Sequence, residues 1–290
     1  MSDTLYIVDT MYQIFKSFYG LGRNARLTSP QGVPTGAVYG LARTLKSWRH
    51  KLGMEYCICA FESPVPVFRC ELSPEYKANR PPVDPDLKVQ IPLAIDMCRH
   101  LGYTIVSADG YEADDVIGTL AAKALQKGWK VRVMSKDKDL AQLLALEGDI
   151  AVMMPSDGKA KDHYVDKNTC QEHYCGVPAE LIVDWLALMG DTSDNIIGIK
   201  GIGEKTGAKL LNKCGSLDKL MEQPNLVGRF AAEIAASQER LRLNRCLATV
   251  CKDVPLPFEL ENLADFAIKN PDSEAENFCN NLGINLGALN

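Results

Sequence analysis

The sequence predicts an α/β fold, a mostly parallel sheet flanked by helices and followed by a second, helical region. Three observations predict it. Short β-branched apolar runs alternate with segments of helical period through the first 175 residues, the pattern of parallel strands joined by crossover helices. From about residue 176 the β signal stops and only short helical segments follow. The 290 residues, 46% hydrophobic and 24% charged, suffice for about two domains that each bury a core. Residues 1–175 are therefore expected to form the α/β domain and residues 176–290 the helical one.

Leu5-Tyr-Ile-Val8 reads as the first strand and ends at Asp9, and Glu55 to Phe61 reads as the second and ends at Glu62. Tyr103 to Val106, Lys130 to Met134 and Asp149 to Met154 continue the series, with helical period over 35–52, 87–101 and 111–127. Residues 64–92 form a Pro-rich connection too long for an ordinary loop, which marks it as functional or disordered. In the second region, helices are expected over 178–189, 204–213, 216–221 and 227–248. Parallel sheets bind ligands beyond the carboxyl ends of their strands. Asp9, Glu62, Asp137 and Asp139 all follow strand ends, so the sheet itself would gather them.

No apolar run approaches the roughly 20 residues of a membrane span. Met1 to Asp9 carries acid where a signal peptide needs basic residues, so the expected compartment is the cytoplasm. Ten cysteines are scattered, several inside apolar runs, and read as small buried hydrophobes. Neither Cys57-x-Cys59 nor Cys170-x4-Cys175, with His163 and His173, has zinc-finger spacing, so no structural zinc is expected.

The net charge of −5 averages over segments of opposite sign. Residues 10–54 carry seven basic side chains, among them Arg23 and Arg26, and no acid. Residues 195–252 carry ten basic side chains against five acids, and residues 253–290 one against seven, the last reading as a solvated acidic tail. Each segment alone is an ordinary exposed face. Two basic regions flanking an acid-rich middle suit a gripped polyanion.

That middle holds Gly110-Tyr-Glu112-Ala-Asp114-Asp115, Asp137-Lys-Asp139 and Asp191-Thr-Ser-Asp194 besides Asp9 and Glu62. Ala113, Val116, Ile117, Leu120, Ala121 and Ala124 form one stripe at helical spacing, which sets the first acidic group in a first turn. Acids in a first turn are favoured by the helix dipole and commonly do nothing else. Nine carboxylates on one rim are different, because such crowding is unfavourable unless cations enter. Oxygen donors without interleaved His or Cys select Mg²⁺ or Mn²⁺ over Zn²⁺. Two such ions roughly 3.5–4 Å apart perform in-line phosphodiester hydrolysis.

Gly198-Ile-Lys200-Gly201-Ile-Gly203-Glu-Lys205-Thr206-Gly207 spaces Gly198 and Gly203 as in a Walker A loop, but Glu204 stands where the Lys is needed and no strand precedes. The alternatives are a plain helix-capping turn or a hairpin between two short helices that lets the backbone approach a duplex phosphate. Lys200, Lys205, Lys209 and Lys213 favour the hairpin.

With Val8-Asp9, Phe68-Arg69, Tyr76-Lys-Ala-Asn-Arg-Pro-Pro82, Gly110 to Asp115, Asp137 to Leu140, Gly190 to Asn195 and Gly198 to Thr206 in this order, the chain resembles the 5′-nuclease family. The pattern is nearest the 5′-to-3′ exonuclease domain of bacterial DNA polymerase I. It runs from about residue 4 to the end, which reads as a free-standing form. The resemblance implies a PIN-like sheet, a helical arch or clamp over residues 64–92, and a helix-three-turn-helix in the second region. It implies Mg²⁺ as two ions, with Mn²⁺ able to substitute, and K⁺ at the helix-three-turn-helix. Asp9, Glu62, Glu112, Asp114 and Asp115 would serve one ion; Asp137, Asp139, Asp191 and Asp194 would serve the other, with Asp114 near both. Lys77 and Arg80 would act on the scissile phosphate. Phe15 and Lys16 would meet the single-strand/duplex junction. Lys200, Gly201, Gly203, Lys205 and Thr206 would hold duplex DNA.

Two positions depart from the family: Glu62 stands where it has Asp, and Lys16 where it has Arg. The expected activity is a divalent-metal-dependent, structure-selective 5′ nuclease, both 5′-3′ exonuclease and flap endonuclease. Its expected substrates are DNA flaps, nicks and junctions, or RNA-primer ends, in replication and repair, cut by a monomer that binds no membrane. The alternatives are a non-catalytic branched-DNA-binding paralogue, in which Glu62 fails to complete the first metal site, and a PIN-like ribonuclease.

Overall fold

The structure, a computed structural model, describes residues 3–20, 27–154, 163–285 and 287; Arg23 and Arg26 of the first basic segment lie outside them. In chain order the sheet domain contains β1 (Thr4–Asp9), α1 (Thr10–Gly20), α2 (Gly36–Leu52), β2 (Tyr56–Ala60), α3 (Phe68–Leu72), α4 (Pro85–His100), β3 (Thr104–Val106), α5 (Ala113–Gln126), β4 (Lys130–Met134), β5 (Ile150–Met154), β6 (His163–Val165) and α6 (Cys170–His173). The helical region follows with α7 (Ile182–Met189), β7 (Gly190–Asp191), β8 (Ile196–Ile197), α8 (Glu204–Cys214), α9 (Leu217–Glu222), α10 (Ala231–Ala236), α11 (Gln238–Ala248) and α12 (Ala275–Asn281).

The main sheet has the order β3-β2-β1-β4-β5-β6, parallel except for β6. All five expected strands are present. The antiparallel edge strand β6 was not legible, being three residues long with two of them exposed. Both faces of the sheet are covered, because successive side chains alternate between them. Leu5, Ile7, Ile58, Ala60, Val131 and Val133 enter one core, while Tyr6, Val8, Cys57, Cys59 and Met134 enter the other. Cys57, Cys59, Cys98, Cys170, Cys214 and Cys279 are buried free thiols, whereas Cys70, Cys175 and Cys246 are exposed.

Chain order decides where the site falls. From β1 the chain first builds outward through β2 and β3, then crosses by α5 to β4 on the other side of β1. The crevice between β1 and β4 is therefore a switch point, and Asp9 ends the strand on its rim. α1 begins at the residue after Asp9 and its Ile14 is fully buried. This helix was not among those expected, although Met11, Ile14, Phe15 and Phe18 repeat at helical spacing.

Residues 64–92 are not one helical arch. They comprise the five-residue α3, a run of turns to residue 79, an irregular stretch over 81–84 and the first half of α4, which Asp84 caps by accepting from Asp86 N at 2.9 Å. The expected helix over 227–248 is broken as well. A 3₁₀ turn over Pro224–Phe230 kinks at Gly228 (φ +57°), and α10 and α11 are separate. The acidic end is not a solvated tail: Val254, Leu260, Phe266, Ile268, Cys279, Leu282 and Ile284 are buried. Its backbone also docks on the sheet domain, Ile268 N donating to Glu55 O at 2.8 Å and Lys269 N to Gly102 O at 3.0 Å. The acids face outward while the alternating apolar residues pack inward, so charge count alone misreads the segment.

The small β7–β8 ladder, also unforeseen, presents Asp191 at the end of α7. Its strands approach so closely that only glycine fits. Gly190 has φ +76°, and a Cβ there would meet Gly198 N at 2.3 Å and Ile196 O at 2.4 Å. Gly190→Ala should therefore cost about 2 kcal/mol or more. Gly203→Ala, where a Cβ meets open space, should stay within about 0.5 kcal/mol of the parent. Urea midpoints at constant m distinguish the two.

Candidate active site

Each expected carboxylate comes from the end of an element. Asp9 closes β1; Glu62 follows β2 after Phe61, whose N–H still pairs with Val106 O at 2.8 Å; Glu112 caps α5; Asp114 lies in the first turn of α5; Asp137 and Asp139 follow β4. Asp191 lies in β7, and Asp194 sits in the turn to β8. A cleft of about 680 Å³ is lined by Asp9, Glu62, Glu112, Asp114 and Asp137, with Lys77 and Arg80 above them. A second cavity of about 290 Å³ is lined by Asp137, Asp139, Asp191 and Asp194 together with Arg80, Lys136 and Lys138. The two share Asp137 and Arg80, so eight of the nine expected acids stand around one connected depression.

Asp115 is the exception and corrects the expectation. It is fully buried, and both its oxygens are taken: Oδ1 accepts from Arg69 Nη2 at 2.8 Å and Cys251 N at 2.8 Å, Oδ2 from Arg69 Nη1 at 2.6 Å and Glu112 N at 3.1 Å. No lone pair faces the cleft, so Asp115 holds structure rather than a cation. Arg69 also donates to Glu112 Oε2 at 3.0 Å and to the carbonyls of Leu247 at 2.8 Å and Thr249 at 2.7 Å. This guanidinium, 2% exposed, locks the acidic helix start to the end of α11.

The other eight acids divide by counter-charge. Among the described residues, Glu112 pairs with Arg69 and Lys77, Asp194 with Arg80 (2.6 Å) and Lys77 (3.8 Å), and Asp191 with Lys138 (3.0 Å). Asp9, Glu62, Asp114, Asp137 and Asp139 take part in no ion pair there. Their carboxyls are raised accordingly. Burial pushes Asp9 up to about 6, with Asp137 and Glu62 adding to the effect against hydrogen bonds from Ser135 Oγ (2.6 Å) and Tyr12 N (3.0 Å). Burial and then the charges of Asp137, Asp9 and Asp139 hold Asp114 well above the carboxylate range. Burial and then Asp137, Asp194 and Asp191 do the same to Asp139, and Asp137 is raised chiefly by burial. At the mouth of the cleft Glu62 reaches solvent, yet the surrounding walls and then Glu112 raise it against Lys77. Asp191 runs the other way: despite burial, Ser193 and Lys138 keep it below its ordinary value.

As they stand, no three His, Cys, Asp or Glu side chains among the described residues are close enough together to hold a metal ion. The donor set nevertheless fits hard divalent cations. It is all oxygen, and Asp139 Oδ1 is buried with no hydrogen-bond partner, an arrangement that is costly unless a cation answers it.

Lys77 and Arg80 belong to a segment clasped onto the 191–195 turn. Lys77 N donates to Asp194 O at 3.0 Å, Asn79 Nδ2 to Thr192 O at 2.7 Å, Arg80 Nε to Ser193 O at 3.1 Å, and Asn195 Nδ2 returns a bond to Glu75 O at 2.7 Å. Lys77 (φ +56°) and Asn195 (φ +58°) both adopt left-handed backbone, a conformation that persists where surrounding structure enforces it. Tyr76, buried, places its hydroxyl 2.9 Å from Glu112 Oε2 and 3.0 Å from Asp194 Oδ2. Sequence analysis assigned no role to Tyr76, Ser135 or Lys138. Lys138 could have been suspected, since it sits between two of the acids.

Phe15 lines the cleft with Met11, Tyr19, Pro81, Val83 and Ile91, while Lys16 follows on α1, half-buried. Lys200, Gly201, Gly203, Lys205 and Thr206 are not brought into the acidic depression. Lys200, Gly201 and Gly203 form the turn between β8 and α8, Lys205 and Thr206 lie in the first turn of α8, and Lys200 and Gly201 line a separate cavity of about 470 Å³. Gly201 takes φ +81°, and Lys200 N donates to Glu233 Oε1 at 3.1 Å.

Arg69→Met should leave buried Asp115 without its cation and Glu112 with Lys77 alone, and cost about 3–5 kcal/mol in urea unfolding. Adding Asp115→Asn should recover part of that loss. Because the Asp9 carboxyl is raised, the folded chain binds its proton more tightly than the unfolded one. The stability this gives is full below the ordinary value near 3.8 and lost as pH climbs through about 6. Without metal, Asp9→Asn should therefore exceed the parent by about 2 kcal/mol at pH 7.5 and match it at pH 4, read from denaturation at both values.

The sequence profile described as "5′-3′ exonuclease, N-terminal resolvase-like domain" matches residues 4–175, and "5′-3′ exonuclease, C-terminal SAM fold" matches residues 177–274. A 5′-3′ exonuclease of Aquifex aeolicus is 35% identical over 270 residues, which cover 93% of this chain and 88% of that protein. The thermostable DNA polymerase I of Thermus thermophilus is 38% identical over 256 residues, 88% of this chain but 29% of the polymerase. Among solved structures, the T5 5′-exonuclease with bound zinc ions superposes with a TM-score of 0.69 at 24% identity, covering 84% of this chain and 89% of that one. The bacteriophage T5 flap endonuclease in a complex with DNA and metal ions gives 0.68 at 21% identity over 99% and 96%. By the extent of both profile matches and by its relation to the Aquifex protein, the chain belongs to the 5′-3′ exonuclease family.

Proposed function

We propose that the acidic cleft hydrolyses DNA phosphodiesters as a divalent-metal-dependent, structure-selective 5′ nuclease, acting as a 5′-3′ exonuclease and flap endonuclease in replication and repair. The observation that carries this is the set of five acids around Asp9 without basic partners, ending in the orphaned oxygen of Asp139. Such a set calls for hard cations, and the solved T5 relatives hold divalent metals, one of them beside DNA. Mg²⁺ is the proposed cofactor, as two ions with Mn²⁺ able to replace it.

Asp9, Glu62, Glu112 and Asp114 would hold one ion, and Asp137, Asp139, Asp191 and Asp194 the other. Bound divalent ions supply charge neutralisation and an activated water. The chain's own residues do the rest. Lys77 and Arg80 stand above the acids, where cations would grip the non-bridging oxygens of a scissile phosphate. Phe15 offers a ring at the apolar end of the same cleft for an unpaired base beside a junction, with Lys16 one residue on. Lys200, Gly201, Gly203, Lys205 and Thr206 would hold the duplex by its phosphates, with K⁺ at that turn. The proposed substrates are 5′ flaps, nicks, single-strand/duplex junctions and RNA-primer ends, cut by a cytoplasmic monomer. No helix among the described residues is long and apolar enough to cross a membrane.

A labelled 5′-flap duplex with Mg²⁺ tests the proposal: cleavage should require the metal, stop in EDTA and fall by about 10²-fold or more in Asp114→Asn. Identical metal and EDTA lanes would refute it. Glu62→Asp separates the enzyme from a DNA-binding paralogue, because activity present only in the reverted protein would show that Glu62 had disabled the parent.

A further inference from the structure

We infer that Lys77, Arg80 and Lys138 are resident counter-ions of the acidic site, so that the clasp of segment 75–80 and an entering divalent cation compete for the same carboxylate oxygens. The inference rests on the proposed metal site and adds a conformational consequence to it.

Three carboxylates in the depression, Glu112, Asp191 and Asp194, are each neutralised from within. Lys77 reaches Glu112 Oε1 and lies 3.8 Å from Asp194 Oδ2; Arg80 Nη2 lies 2.6 Å from Asp194 Oδ1; Lys138 Nζ lies 3.0 Å from Asp191 Oδ2. The oxygens they occupy are those a divalent ion would need from the helical side of the cleft. Arg69 cannot leave, being buried with its donors bound on both sides. Lys77, Arg80 and Lys138 can, since each is partly exposed, from 21% to 48% at the side chain. Lys77 also rests over the Tyr76 ring at 5.1 Å.

Lys77 and Arg80 are also the charged side-chain anchors of segment 75–80, beside Tyr76 and Asn79. Without their pairs, the segment keeps its bonds to the 191–195 turn and those of the buried Tyr76 hydroxyl to Glu112 and Asp194. An ion with two positive charges outbids a single ammonium for a carboxylate in a poorly solvated cleft. With such an ion bound, Lys77 and Arg80 would be free to meet a phosphate, and the turns that carry them would have fewer ties. Lys138, anchored on the loop of Asp137 and Asp139, acts differently: it positions Asp191 until the cation takes over.

Ca²⁺ provides the probe, on the full chain without DNA, with binding measured by calorimetry and by the rise in melting temperature. Lys77→Met and Lys138→Met should each bind Ca²⁺ roughly three- to tenfold more tightly than the parent, whereas Lys167→Met, removed from the site, should not change. In the parent, Ca²⁺ should also speed trypsin cleavage after Lys77, because that residue is released. Unchanged or weaker Ca²⁺ binding in both variants, or protection of Lys77 by Ca²⁺, would overturn the inference while leaving the metal site intact. A parent that does not bind Ca²⁺ or Mg²⁺ at all would instead bring down the metal-site proposal itself, and the inference with it.

Discussion

Negative charge gathered beyond its local compensation is the constraint from which the site follows. Eight carboxylates stand around one depression whose walls exclude much of the water that would otherwise solvate them. The protein meets part of that charge itself, through Arg69, Lys77, Arg80 and Lys138, and leaves Asp9, Glu62, Asp114, Asp137 and Asp139 as an uncompensated group among the described residues. The carboxyls of that group are raised, first by burial and then by the charges of their acidic neighbours. A fold that retains such a group holds stability back locally, which is the ordinary cost of a site shaped for a charged ligand.

The backbone can sustain this because the scaffold beneath is stitched across both regions. Arg69 ties α5 to the carbonyls after α11, and Gln142 does the same from the loop after β4, donating to Ala248 O at 3.0 Å and accepting from Val250 N at 2.9 Å. Asp115 and Thr119 accept from Cys251 N and Val254 N at 2.8 and 3.0 Å. The connection leaving the helical region is thus laid along α5, and the acidic segment after it wraps back to the start of β2. Repulsion at the rim meets a base fixed by hydrogen bonds in a dry interior, where each is hard to replace with water.

How much of this was legible depends on the range of the interaction. Strand-end acids such as Asp9 and Asp137 could be placed from the alternation of β and α signals, because parallel topology alone puts those ends on one rim. Motif order supplied Lys77 and Arg80 through family likeness. Asp115 was misjudged, since its neighbours Glu112 and Asp114 share its sequence context, and only the fold shows Arg69 covering both of its oxygens. Lys138 and Tyr76 escaped for the same reason: their partners Asp191 and Asp194 lie more than 50 residues away. The final segment was misread because composition counts charges without saying which way they point. The short β7–β8 ladder carries no periodicity to detect, and its signal is the pair Gly190 and Gly198, meaningful only once they are seen touching.

That ladder also bears on how the two halves act together. The turn from Asp191 to Asn195 lines the acidic cavity through Asp191, Ser193 and Asp194, and the cavity beside the glycine turn through Asp191, Thr192 and Asn195. One short segment is thus the common wall of the proposed phosphate-holding surface and the proposed chemical centre. It is pinned on one side by the Gly190–Gly198 contact and on the other by segment 75–80. A turn held at both ends keeps Asp191 and Asp194 in place on the cavity wall. In the proposed reading, this one wall would face both the duplex and the carboxylates, with no separate element between them.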